Sequence, residues 1–153
     1  MARSNRQLTQ FAVHRIGCIL DCGRSFLPES DAAGNTEVST RLEEASVKLF
    51  DKEILFLGFQ ADRVTTVVVR SGDFYDSKGR PSRTTRERLN GLLDLLGDRG
   101  IIPEGTRVFL SSDGSCRIGK GDYSQPLGKD NPTVSLLTSF KQIPDSLIAK
   151  GLL

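Results

Sequence analysis

The run Thr36-Glu-Val-Ser-Thr-Arg-Leu-Glu-Glu-Ala-Ser-Val-Lys-Leu49 sets the fold, because a helix there leaves two β-hairpins and no more for a sheet. Val38, Leu42, Ala45 and Leu49 recur at i, i+4, i+7 and i+11, the spacing of one helix face. Thr36 is a candidate N-cap, and Glu37 falls in the first turn, where the helix dipole favours an anion. The reading is therefore a helix. It follows a loop over residues 23–36 that carries Gly23, Pro28, Gly34 and Asn35.

Outward from that run, the N-terminal side is ambiguous. Leu8, Phe11, Ala12, Ile16 and Ile19 fit a helical stripe, while His14, Ile16, Cys18 and Leu20 would equally share one face of a strand. Gly17 weakens a helix by about 1 kcal/mol relative to alanine. Helix is the reading taken for residues 7–22. On the C-terminal side, Ile54–Phe59 and Val64–Arg70 are rich in strand-forming residues, and Gln60-Ala-Asp-Arg63 has the length of a hairpin loop. Residues 71–83 read as irregular. Leu89, Leu92, Leu93 and Leu96 then mark a helix over about 85–97. Thr84 and Glu87 stand at capping-box spacing, Gly97 and Gly100 offer C-cap positions, and Pro103 forbids continuation. Thr106–Ser111 and Ser115–Gly119 flank Asp113-Gly114, a tight-turn signal that predicts a second hairpin. The tail from Lys120 is rich in Gly, Lys, Asp and Pro. Ile143-Pro144-Asp145 looks like the start of a last short helix, stopped by Gly151.

The expectation is an α+β fold: a mainly antiparallel sheet of about four strands, in two hairpins, packed against a central helix, with extra N- and C-terminal helices. Residues 1–36 would form an N-terminal extension, 37–125 the core and 126–153 a C-terminal extension. The free face and edges of such a sheet are pairing sites, so a homo-oligomer is expected.

The chain has 153 residues, 37% hydrophobic and 26% charged, which suits one domain with a small core. It contains no run of about 18 apolar residues and opens on a polar stretch, so neither a membrane span nor a signal peptide is predicted. The cytoplasm is the expected compartment, with the three cysteines as free thiols. A net charge of +2 does not by itself demand a nucleic-acid partner. One histidine excludes chemistry that needs two within the chain.

The stretch with chemical promise is Lys78-Gly-Arg-Pro-Ser-Arg-Thr-Thr-Arg-Glu-Arg-Leu-Asn90. It sets Lys78, Arg80, Arg83, Arg86 and Arg88 against a single acid, Glu87, at a helix N-terminus, where free amides and the positive dipole end also lie. Arg80, Arg83, Thr84, Thr85, Arg86 and Asn90 are the candidate ligand-binding residues. The arginines would serve as forks for phosphate or carboxylate, and Asn90 as donor and acceptor for a base or amide. The plainer reading is a solvated helix start with a good cap and surface arginines.

The same stretch carries a resemblance. Val67-Val-Val-Arg-Ser-Gly72, followed by Ser82-x-Thr84-Thr85-Arg86-x-Arg88-Leu89-Asn90, resembles a pattern in small uncharacterised proteins of phages and mobile elements. Those have a strand ending in Ser-Gly or Thr-Gly, then a Thr-rich helix start. The likeness covers about a third of the chain. Here the intervening loop is longer, and Phe74-Tyr75 stands near the place of the usual tryptophan. The resemblance implies an origin more than a mechanism. It leaves three roles: nucleic-acid binding, interference with a host protein, or capture of a nucleotide signal used in host defence.

Other motifs are weaker. Gly119-Lys120-Gly121 lacks phosphate-loop spacing and has no helix immediately after it. His14, Cys18, Cys22 and Cys116 have the ligand types of a zinc site, but residues 14 and 22 lie about 12 Å apart along a helix, too far for one tetrahedral centre. Asp73 and Asp76, with Lys78, could serve a metal-dependent nuclease, yet they offer only two ligands and no strand-anchored third acid. The leading reading is a non-enzymatic binding protein for nucleic acid or a nucleotide, with no cofactor, no metal and no catalytic residues. A module that binds and inhibits a host protein, and a metal-dependent nuclease, are the alternatives.

Overall fold

A computed structural model describes residues 3–22, 29–60, 63–120 and 123–136 of the chain. A long helix α1 (Asn5–Cys22) leads into five consecutive antiparallel strands: β1 (Glu29–Ala33), β2 (Thr36–Arg41), β3 (Glu44–Leu49), β4 (Lys52–Gln60) and β5 (Arg63–Arg70). After a loop comes α2 (Arg83–Asp98), then a three-stranded antiparallel sheet of β6 (Arg107–Leu110), β7 (Cys116–Lys120) and β8 (Tyr123–Pro126). The chain returns as β9 (Thr133–Ser135), which pairs with β5 and completes a six-stranded sheet in the order β1-β2-β3-β4-β5-β9. That sheet curls into a half-barrel.

The expected four-stranded sheet on a central helix is thus corrected to a mostly β architecture, with nine strands and two helices among the described residues. The decisive difference is Thr36–Leu49, which is not a helix but the β2–β3 hairpin, registered Val38↔Val47. Thr36, Val38 and Thr40 on β2, with Ala45, Val47 and Leu49 on β3, point into the core at a period of two. Leu42, counted above in a helical stripe, sits in the turn with 78% of its surface exposed. Four of the six inward positions are Thr or Val, whose branched Cβ suits a pleated, half-buried surface better than a helix. Glu43 holds a φ of 60° in that turn. No glycine or asparagine there announces the reversal. Likewise Glu29–Ala33 is a strand within the expected loop, turned into β2 by Gly34 at φ 56°. β8 and β9 lie in the stretch after Lys120, for which the sequence predicts no strand. The final helix expected from Ile143 falls outside the described residues.

The two central hairpins stand where expected, and so do the first helix and the leucine-rich one. Leu8, Ala12, Ile16 and Ile19 of α1 and Leu89, Leu92, Leu93 and Leu96 of α2 cover the face built by Val47, Leu55, Leu57, Val67 and Val69. Each of these leucine, isoleucine and valine side chains contributes roughly 1.5–3 kcal/mol by leaving water. The helices meet at Gly91, where a Cβ would come within 2.4 Å of the Thr9 methyl, so only glycine allows this approach. The opposite face of the large sheet carries a shallow groove of about 150 Å³, lined by Ser39, Arg41, Glu44, Ser46, Lys48, Glu53 and Phe56. No helix among the described residues is long and apolar enough to cross a membrane.

Candidate functional site

The loop between β5 and α2 is built, not irregular. Ser71 is buried; its N–H donates to the Pro132 carbonyl (2.8 Å) and its hydroxyl meets that of Tyr75 (2.6 Å). Gly72, at φ 73°, turns the chain tightly over Ile54 and Thr85. The Asp76 carboxylate accepts from the backbone N–H groups of Lys78 (2.9 Å) and Arg80 (3.0 Å) and from Arg80 Nε (2.7 Å). Ser82 then donates its N–H to the Phe74 carbonyl (2.9 Å) and caps α2, its hydroxyl accepting from Thr85 N–H at 3.2 Å. The cap therefore lies two residues before Thr84. Glu87 does not reach back to the cap; it pairs with Arg83 (2.7 Å) and accepts from Asn5.

Partial burial pushes the Asp76 carboxyl up, but the Arg80 side chain and the Arg80 and Lys78 amides together hold it below the ordinary aspartate value. A depressed folded pKa gives stability that is present above the unfolded value of about 3.9 and is lost as pH falls through the folded one. Acid titration of wild type against Asp76→Asn should therefore show a smaller loss of stability below about pH 4 in the variant. Identical slopes would mean that the turn does not depend on this carboxylate.

The structure divides the candidate residues. Arg80 is half-buried, tied to Asp76 and to the Gly114 carbonyl in the β6–β7 turn (3.2 Å). Arg86 donates from Nε to the Pro81 carbonyl (3.2 Å). Both arginines lie within electrostatic reach of the buried Cys116 thiol, which burial pushes up and the two cations draw back. Arg80 and Arg86 are thus brought together on the α2 flank that faces the start of β7. Arg83, one turn before Arg86 on a neighbouring part of the helix surface, pairs with Glu87, its side chain 85% exposed. Thr84 is half-buried beside it. The N–H groups of Arg83 and Thr84 meet no acceptor among the described residues. Thr85 is buried under the cap and unavailable to a ligand.

Asn90 is also committed elsewhere. Its amide donates to the Val108 carbonyl (3.0 Å), and its oxygen accepts from Val108 N–H (2.7 Å), so its carboxamide replaces a neighbouring strand along the β6 edge. Asn90→Ala leaves both groups of Val108 unpaired and should lower stability by about 1–3 kcal/mol, read from the denaturant midpoint. A change below about 0.5 kcal/mol would contradict that role.

Arg88, only one of several basic residues in the sequence reading, is the fully buried one, at 0% exposure. Its Nε donates to the Thr36 hydroxyl (3.1 Å). One terminal nitrogen reaches the Asn5 carbonyl (3.0 Å), the Asn5 side chain (2.9 Å) and Thr9 (2.5 Å), and the other reaches Asn35 (3.3 Å). It ties α1, α2 and the β1–β2 turn together. Burial pulls its guanidinium below the ordinary value, and the Glu87 carboxylate opposes that pull.

The remaining motifs separate in space. Asp73 pairs with Lys52 (3.5 Å), away from the Asp76 turn, and no group of three potential metal ligands gathers among the described residues. Gly119, at φ 143°, packs where a Cβ would lie 2.3 Å from the Tyr123 carbonyl, so it serves the β7–β8 reversal. Phe50 and Phe74, about half exposed, touch at a centroid distance of 4.8 Å. Phe50 holds a φ of 50° and lines a cavity of about 220 Å³ with Asn35, Glu37 and Asp51. No family model matches this chain, and no curated protein or solved structure matches it.

Proposed function

We propose that this is a non-enzymatic binding protein, of the phage or mobile-element type, that holds a phosphate-bearing polymer across the open surface at the start of α2. The observation that carries the reading is the pair of free N–H groups on Arg83 and Thr84, set in one helical turn with the side chains of Arg83 and Arg86. Amides at a helix N-terminus and arginine forks both suit phosphate oxygens. Arg80 adds a guanidinium that Asp76 pairs with and holds in place. Thr85 and Asn90 serve the fold.

Nucleic acid fits this surface better than a free nucleotide. Arg83 is 85% exposed, and the two cavities described above are lined by other residues. A small ligand needs enclosure, whereas a polymer gains from several shallow phosphate contacts. The setting we propose is the cytoplasm, with the protein acting as a homo-oligomer. The test is titration with labelled single- and double-stranded oligonucleotides, and with nucleotides, across a range of salt. Oligonucleotide binding that weakens with a log-log slope of about 0.7–0.9 per contacted phosphate supports the reading. Absence of binding at low salt overturns it.

The exposed Phe50–Phe74 contact favours a second reading, docking on a host protein. That reading is supported if a Phe50→Ser, Phe74→Ser double variant loses a stoichiometric partner while Arg86→Ala keeps it.

A further inference from the structure

Granted the phosphate-binding surface described above, on which this inference rests, we propose that its nucleic acid is single-stranded and that the exposed Phe50–Phe74 pair is the platform on which the bases stack. The two residues come from distant parts of the chain, yet their rings meet at 4.8 Å with planes tilted by 56°. Phe50 is 49% exposed and Phe74 47%, and neither belongs to the hydrophobic core. Phe50 shares the two-residue β3–β4 turn with Asp51, at φ values of 50° and 65°. Such a turn ordinarily takes asparagine and glycine. Its N–H donates to the Asn35 carbonyl (2.8 Å), which fixes the ring's attachment point. An aromatic ring at that position serves neither the turn nor the core.

Phe74 is fixed from the other side. Its carbonyl accepts from Ser82 N–H (2.9 Å), and the next residue, Tyr75, bridges Pro81 in antiparallel fashion. Chains paired in this way run about 4.8 Å apart. Phe74 therefore stands one chain-width from the cap of α2. The two residues after that cap, Arg83 and Thr84, carry the N–H groups that meet no acceptor among the described residues. The rings, these amides and the Arg83 and Arg86 guanidiniums thus lie within reach of adjoining nucleotides of one strand. Charge sorts the two halves of the surface. Asp73 is paired with Lys52 (3.5 Å), and Glu37 and Asp51 line the cavity beside Phe50, so the phosphates are drawn to the α2 side and the rings are left to the bases. Stacking needs an open base face. In a duplex the bases stack on one another and show the grooves only their edges, whereas a single strand offers its faces to aromatic side chains.

The experiment titrates the full-length protein with fluorescently labelled oligothymidylate, and separately with the same strand paired to oligoadenylate, at several salt concentrations. The expected result is tighter binding of the single strand. Phe50→Ala combined with Phe74→Ala should weaken single-strand binding about fivefold or more. It should leave the salt slope and the duplex affinity unchanged, because no phosphate contact is lost. Phe74→Trp, which keeps an aromatic face, should bind the single strand at least as tightly as wild type, and circular dichroism verifies that the variants remain folded. Duplex bound as tightly as single strand, single-strand affinity unchanged in the double alanine variant, or a loss in Phe74→Trp as large as in that variant would each overturn the platform. Those outcomes leave the phosphate reading standing and return the aromatic pair to a protein partner. Absence of binding of either form at low salt would overturn both.

Discussion

Arg88→Ala should cost the protein about 3–5 kcal/mol, the largest single-residue loss outside the leucine core. The side chain is fully buried, and its guanidinium is held by Thr36, Asn5, Thr9 and Asn35. Its removal leaves those acceptors without their donor and opens a cavity where α1 crosses α2. Lysine cannot repair the loss, because a single ammonium cannot reach positions that a planar fork spans. Against a typical total of about 5–15 kcal/mol, the change brings the fold close to its limit. Arg83→Ala, at an exposed ion pair, should move stability by less than about 0.5 kcal/mol. Urea melts of the two variants measure the contrast. Equal and small losses would mean that the buried guanidinium does not join the helices to the sheet.

The second large effect concerns binding. Arg83→Glu combined with Arg86→Glu should reduce oligonucleotide affinity at low salt by more than about tenfold and lower the salt slope by about 1–2. Two phosphate contacts vanish, and two negative charges stand where the backbone amides face outward. The fold tolerates this change, since acids in the first turn of a helix interact favourably with its dipole. Circular dichroism verifies that the variant, which loses the Arg83–Glu87 pair and the Arg86–Pro81 hydrogen bond, remains folded. Retained affinity with an unchanged slope would place the nucleic-acid contacts elsewhere.

The sequence made some of this fold legible and concealed the rest for definable reasons. The Leu89–Leu96 stripe and the two Val- and Phe-rich hairpin strands carry one periodicity each, and they stand where that periodicity puts them. Thr36–Leu49 carries two. Its helical quartet includes Leu42, whose position in a turn without glycine or asparagine hides the reversal. The alternation of Thr36, Val38 and Thr40, and of Ala45, Val47 and Leu49, was the competing signal. β9 is three residues long and depends on pairing with β5, 63 or more residues earlier in the chain, which local pattern does not reveal.

The candidate site shows the same division. The basic composition of Lys78–Asn90 is plain in sequence, but its partition is not. Arg88 could have been singled out, because it shares the buried stripe with Thr85, Leu89 and Leu92, where a charge must find partners. Asn90 could not, because its partner Val108 comes from a strand beyond the helix. The cap at Ser82 was hidden by the Thr84–Glu87 spacing, which imitates a capping box two residues too late.

The most direct test of the central claim is a nitrogen-15 amide spectrum recorded while a short single-stranded oligonucleotide is added at low salt. The account predicts that the largest shifts fall on the backbone amides of Arg83 and Thr84, followed by the side chain of Arg86, while Val108 and the Ser39–Ser46 face remain still. Shifts confined to Phe50 and Phe74, or spread evenly over the surface without saturation, would contradict it.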